Sequence, residues 1–69
     1  MKVSIGCSVK EYFVGKGDTV IASWAVEQFG FKEGNKYVVK DISPTKNLII
    51  ENENGETNEY DTVYFSPCF

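Results

Sequence analysis

The side chains able to do chemistry in this 69-residue chain are ten carboxylates, seven lysines and two thiols; histidine and arginine are absent. Nucleophilic catalysis needs a nucleophile beside a base, and without histidine no Ser-His or Cys-His pair can form. A lysine-activated serine would need a glycine-flanked elbow, and no lysine stands near one. Carboxylate acid–base work needs two acids in enclosed, contrasting environments. Here five acids, Glu51, Glu53, Glu56, Glu59 and Asp61, crowd into the stretch 51 to 61, read as an exposed hairpin where their pKa values are expected to stay ordinary. The expectation is a protein that is not an enzyme and uses no cofactor.

Metal chemistry has one near match. Asn52, Asn54 and Gly55 fall where a calcium loop wants ligands at its third and fifth positions and glycine at its sixth. The first position would then be Ile50, which cannot ligate, and the twelfth would be Asp61 in place of a bidentate glutamate. A plain Asn-Gly turn is the better reading. Zinc wants four soft or nitrogen ligands, and Cys7 and Cys68 supply two. These thiols, near opposite ends of a chain whose first residues lack a secretion signal, are expected to be reduced in a cytoplasmic protein.

The net charge of −3 is unevenly spread. All seven lysines lie within residues 1–46 beside five acids, giving 7 − 5 = +2, whereas residues 47–69 carry five acids and no base, giving −5. A solvated acidic hairpin aids solubility; it also attracts a basic partner surface. A chain of this length makes one domain, here residues 1–69, and buries only about 60% of the surface its unfolded form exposes. No apolar run approaches the ~18 residues of a membrane span.

The elements that must carry these residues are mostly strands. Val3, Ile5, Cys7 and Val9 alternate with Lys2, Ser4, Gly6 and Ser8, the period of a half-buried strand over Lys2–Val9. Tyr12-Phe13-Val14 is a short apolar stretch, ended by the turn Gly15-Lys16-Gly17-Asp18. Residues 19 to 29 are ambiguous. As a helix they align Ile21, Trp24, Ala25, Gln28 and Phe29 on one face, with Asp18 or Thr19 as N-cap and Gly30 as stop. As a strand, Val20, Ala22, Trp24 and Val26 alternate with Ile21, Ser23, Ala25 and Glu27. Cap residues at both ends and two alanines favour the helix.

Lys32-Glu33-Gly34-Asn35 turns into a β-rich run, Lys36–Ile42, and Ser43-Pro44-Thr45-Lys46 is a second turn. Leu48–Glu51 is a further strand, paired through Asn54-Gly55, a type I′ signal, with Glu56–Tyr60. Asp61 can cap one helical turn over residues 61–65, and residues 66–69 read as a short edge segment.

From Phe31 onward, Phe31-x-Glu33-Gly34-x-x-Tyr37-x-Val39-x-x-Ile42, then Leu48-Ile49-Ile50, Asn54-Gly55-Glu56 and Tyr60-x-x-x-Tyr64-Phe65, the order of elements resembles a small SH3-like β-barrel. Val3-x-Ile5-x-Cys7 resembles its opening strand, and the stretch from Lys10 to Gly30 is longer than such barrels place between their first two strands. The expected fold is therefore mainly β: an SH3-like antiparallel barrel of about five strands, with one short helix or helical insertion between the first two. Barrels of this layout resemble accessory proteins of tailed phages and prophages. That resemblance implies a phage protein in the host cytoplasm that binds and modulates or inhibits a host protein.

The candidate partner-binding residues are Tyr12, Phe13, Trp24, Tyr60 and Tyr64, large amphipathic or apolar anchors, together with Glu51, Glu53, Glu56 and Glu59, which would steer a basic target. Ten aromatics exceed what a core this small requires. The alternatives are a single-stranded nucleic-acid-binding barrel, stacking bases on aromatics but lacking arginine and carrying a pI near 4.7, and a structural or self-associating viral subunit pairing through open strand edges.

Overall fold

A computed structural model of the chain describes residues 2–5 and 11–68. Across them the fold is mainly β, with two antiparallel sheets and no helix longer than a single 3₁₀ turn. The first strand, β1 (Lys2–Ser4), buries Val3 and is followed by buried Ile5, as the alternation predicts. It pairs antiparallel with β2 (Glu11–Phe13) as a separate two-stranded sheet. The rest of the expected opening strand, with Cys7 and Val9, lies outside the described residues. Asp18 closes the next turn by accepting the Gly15 amide on Oδ2 at 2.8 Å, an aspartate–backbone bond of the kind that favours Asp in turns.

Residues 19 to 29 do not form a helix. Thr19–Ala22 is a strand, β3, with Val20 and Ala22 fully buried. It lies between β4 (Lys36–Ile42) and β7 (Phe65–Pro67), bonded to both. The β-branched run Thr19-Val20-Ile21 suits a pleated surface, and two flanking ladders satisfy its backbone as completely as a helix would. The helical residue of the prediction is one 3₁₀ turn, Glu27–Phe29, stopped as expected by Gly30 at φ 88°, whose amide bonds Glu27 O at 3.1 Å. Neither Asp18 nor Thr19 caps a helix, and the supposed insertion instead holds β2, β3 and this turn.

The larger sheet also contains β5 (Leu48–Glu51) and β6 (Thr57–Tyr60) and runs β6-β5-β4-β3-β7. Its outer strands β6 and β7 do not pair, so the sheet is not closed into a complete barrel. A register shift between Val39 and Asp41 bends β4, as bulges do. Between β6 and β7, Asp61 caps a second 3₁₀ turn, Thr62–Tyr64, accepting the Val63 amide on Oδ1 at 3.0 Å; this was the turn predicted from Asp61.

The hairpin joining β5 to β6 departs from the expected type I′ turn, which needs two residues of positive φ. Only Gly55 of the Asn-Gly pair has one, at 82°. Asn52 O instead accepts the Gly55 amide at 3.1 Å and the Asn52 amide pairs with Glu56 O at 2.8 Å. This is the three-residue loop in which a type I turn is followed by a left-handed glycine.

The core is closed by aromatic rings. Phe31 is 2% exposed and meets Tyr37, Tyr60 and Phe65 edge-on, with centroids 4.8, 4.9 and 5.5 Å away. Edge-to-face pairs at these spacings add about 0.5–1.5 kcal/mol each beyond area burial. Among the described residues, no helix is long and apolar enough to cross a membrane.

Candidate partner-binding face

Trp24 follows β3 directly, where the chain leaves the sheet. Its neighbour Ala25 has φ 55°, a left-handed conformation costing a non-glycine residue roughly 1–2 kcal/mol. That reversal lets Val26 enter the core while Trp24 stays 52% exposed. The indole is nevertheless fixed: Nε1–H donates to Val63 O at 3.0 Å, and the ring lies 5.8 Å from that of Tyr64. Tyr64 in turn meets Phe29 edge-on at 5.0 Å, and Phe29 meets Tyr60 at 5.2 Å. A ladder of rings thus runs from solvent at Trp24, through half-buried Tyr64 and Phe29, into the core.

The hairpin tip is docked beside this ladder. Asn52 is a buried polar residue, 7% exposed, with every bonding group engaged. Its Nδ2 donates to Phe29 O at 2.7 Å and to Glu56 Oε1 at 3.1 Å, while Oδ1 accepts the Asn54 and Glu56 amides at 2.9 and 3.0 Å. The Glu53 amide reaches Gly30 O at 3.1 Å. A Cβ on Gly30 would stand 2.8 Å from Asn52 Nδ2, so glycine is required for contact as well as for its positive φ. Tyr37 adds a third tie: its hydroxyl donates to Glu53 Oε2 at 2.6 Å and accepts the Lys32 amide at 2.8 Å. Withdrawal of the hydroxyl from water, and then the bond to Glu53, raise the Tyr37 pKa above its ordinary 10.0.

The four predicted steering glutamates are exposed, and each is positioned by an internal contact. Glu51 lies 3.8 Å from Lys40, Glu53 is bonded to Tyr37, and Glu56 to Asn52. Glu59 Oε2 accepts from Asn47 Nδ2 at 2.8 Å and from Thr45 Oγ1 at 3.0 Å. Bonds from Asn47, then Ser43 and Thr45, lower its pKa below the ordinary 4.5. Of the four, only Glu51 has a cation within salt-bridge distance among the described residues, so Glu53, Glu56 and Glu59 are held there by uncharged donors.

The remaining predicted residues divide. Tyr60 is 8% exposed and sits in the core rather than on a binding face. Tyr12 is half-buried against the core, whereas Phe13 is 77% exposed on β2 with Lys2 Nζ 5.7 Å from its ring centre. Among the described residues, the ring that meets Trp24 is that of Tyr64 and not of either of these two. Sequence reasoning missed Phe29, Asn52 and Tyr37. The signal at Asn52 is its position: an asparagine that accepts the amide two residues ahead is a turn former in its own right.

Among the described residues, no group of three metal-ligating side chains is gathered in one place. A shallow groove of about 390 Å³ lies along β4 and β5, lined by Lys36, Val38, Lys40, Glu51 and Glu53 among others. Cys68 is a free thiol. No family model matches the chain, and no curated protein and no solved structure is significantly similar to it.

Proposed function

We propose that this chain is a non-enzymatic binding protein that docks a partner protein on the face built from Trp24, Tyr64 and Phe29, with the acidic hairpin steering a basic target toward it. The observation that carries this reading is the state of Trp24. A large amphipathic ring is left half in solvent, yet its N–H is bonded to Val63 O and its face rests near Tyr64. A ring already ordered loses little side-chain entropy when covered, and tryptophan and tyrosine are the residues in which interface energy concentrates.

The strand order β6-β5-β4-β3-β7, with a 3₁₀ turn before the last strand, supports the SH3-like reading, but with β3 as opening strand in place of the Val3-x-Ile5-x-Cys7 stretch, whose β1 pairs with β2 in a separate sheet. That layout is the ground for proposing a phage accessory protein, acting in the host cytoplasm by covering a functional surface of a host protein. Glu27 and Glu33 on the Trp24 loop, and Asp61 capping the adjoining turn, favour a basic protein over a nucleic acid, whose phosphates they would repel.

The test is affinity capture from host lysate, with wild type and Trp24→Ala side by side and identification by mass spectrometry. A protein retained by wild type and lost with the variant is the expected result. Equal retention by both would remove the face from the account. Tryptophan quenching by oligonucleotide that salt relieves would move the assignment to single-stranded nucleic acid.

A further inference from the structure

The open sheet has two outer strands, and they are not equivalent. In an antiparallel ladder, bonded and non-bonded pairs alternate. Ile21 is paired with Ser66, and the Ser23 amide bonds Tyr64 O at 2.9 Å. Phe65 and Pro67 of β7 therefore turn their main-chain groups away from β3. The Phe65 amide is already spent on Thr62 O, and proline has no N–H to offer. The β7 edge has no donor left for another strand.

The β6 edge is different. Because the Asn52 amide bonds Glu56 O, the bonded pairs continue at Ile50–Asn58 and Leu48–Tyr60. Thr57 and Glu59 then direct their amides and carbonyls outward. Both residues are exposed, and among the described residues neither has a main-chain partner on that side. Proteins usually blunt such an edge; here, among the described residues, acidic side chains flank it. Glu56, Glu59 and Asp61 flank the edge, and no basic residue occurs from 47 to 69. A second copy pairing through β6 would bring these acids against one another, which is destabilising for directly opposed like charges. A lysine-bearing strand would meet them favourably.

We infer that β6 accepts an extended, basic segment of the partner protein as an added antiparallel or parallel strand, with the Thr57 and Glu59 main chain supplying affinity and the hairpin glutamates supplying selection. Strand addition to an exposed edge is a general recognition mode, in which main-chain bonds bind and alternate side chains discriminate. The inference rests on the protein-binding reading above but uses a different surface from Trp24, so the two can fail separately.

The experiment is amide hydrogen exchange by NMR on the intact chain, titrated with a short acetylated and amidated peptide of alternating lysine and valine. Exchange at Thr57 and Glu59 is expected to slow by about tenfold or more at saturation, with the Trp24 indole unaffected. A peptide N-methylated at alternate residues should not bind, and one of alternating glutamate and valine should bind at least about tenfold more weakly. Thr57→Pro removes an outward N–H that the β5–β6 ladder does not use, a position where edge strands accept proline. It should weaken the lysine peptide similarly while leaving Leu48 and Ile50 protected. Should that variant lose the hairpin, the N-methylated peptide on wild type decides the matter. Absence of binding, unchanged Thr57 and Glu59 exchange, equal binding of the N-methylated peptide, or equal binding of the glutamate peptide would each overturn the proposal. A response confined to Trp24 and Tyr64 would overturn it while leaving the aromatic face standing.

Discussion

At Tyr37, one hydroxyl ties three parts of the chain together: β4 through its own backbone, the 31–35 loop through the Lys32 amide, and the acidic hairpin through Glu53. Its raised pKa carries a sign that can be measured. A phenol whose folded pKa lies above the unfolded value stabilises the fold fully below pH 10, about the unfolded pKa, and loses that contribution as pH rises through the folded value. Urea midpoints followed into the alkaline range should therefore fall with rising pH in wild type. In Tyr37→Phe that fall should be smaller, on a baseline about 1 kcal/mol less stable at neutral pH. Glu59 gives the opposite sign. Its lowered pKa means stabilisation present above about 4.5 and lost as pH drops through the folded value. Glu59→Gln should flatten the acid limb of the same midpoint series, and an unchanged acid limb would show that the bonds from Asn47 and Thr45 do not persist in solution.

At the scale of elements, the decisive joint is the seating of the β5–β6 hairpin on the Phe29–Gly30 turn. Asn52→Ala leaves Phe29 O and the Asn54 and Glu56 amides without their partner, a loss of about 2–3 kcal/mol. Gly30→Ala forces a Cβ into the left-handed region and against Asn52, at a cost of roughly 1–2 kcal/mol for the backbone alone. Because both variants disturb one contact, their combined effect should fall short of the sum. A double-mutant cycle by thermal or urea unfolding reads this, and strict additivity would mean that the two residues act at separate places.

The same joint explains what the sequence could and could not disclose. The strands at Lys36–Ile42 and Leu48–Glu51, the hairpin after them and the Asp61 cap were legible because alternation, β-branched content and capping are local signals. Residues 19–29 misled because their helical pattern is also local, whereas β3 is held by neighbours far along the chain: Tyr37 on one side and Ser66 on the other. Trp24 stood out by residue type, and its exposure is set by the chain reversal at Ala25. Burial of Tyr60, and the role of Phe29 in linking Trp24 to the hairpin, depend on that tertiary arrangement and left no pattern in the sequence.

Over the whole molecule, the charge is unevenly divided along the sequence, although Lys36 and Lys40 of β4 lie beside Glu51 and Glu53 of the hairpin. The lysines end at residue 46 and the hairpin acids point outward, held by uncharged donors in three cases of four. Charge arranged this way acts on encounter more than on the final affinity. Replacing Glu51, Glu53, Glu56 and Glu59 together by glutamine should slow association with a basic partner at low salt by about tenfold or more, and salt should have little further effect. Unaltered association kinetics at low ionic strength would exclude steering. In the proposed function, dissociation is governed by the aromatic face. The most direct measurement is the dissociation constant of a captured partner for wild type, Trp24→Ala, Tyr64→Ala and the double variant, each confirmed folded by circular dichroism. The expected result is a loss of about tenfold or more for Trp24→Ala, carried mainly in the dissociation rate and coupled to Tyr64. Identical constants for wild type and Trp24→Ala would contradict the assignment of that face.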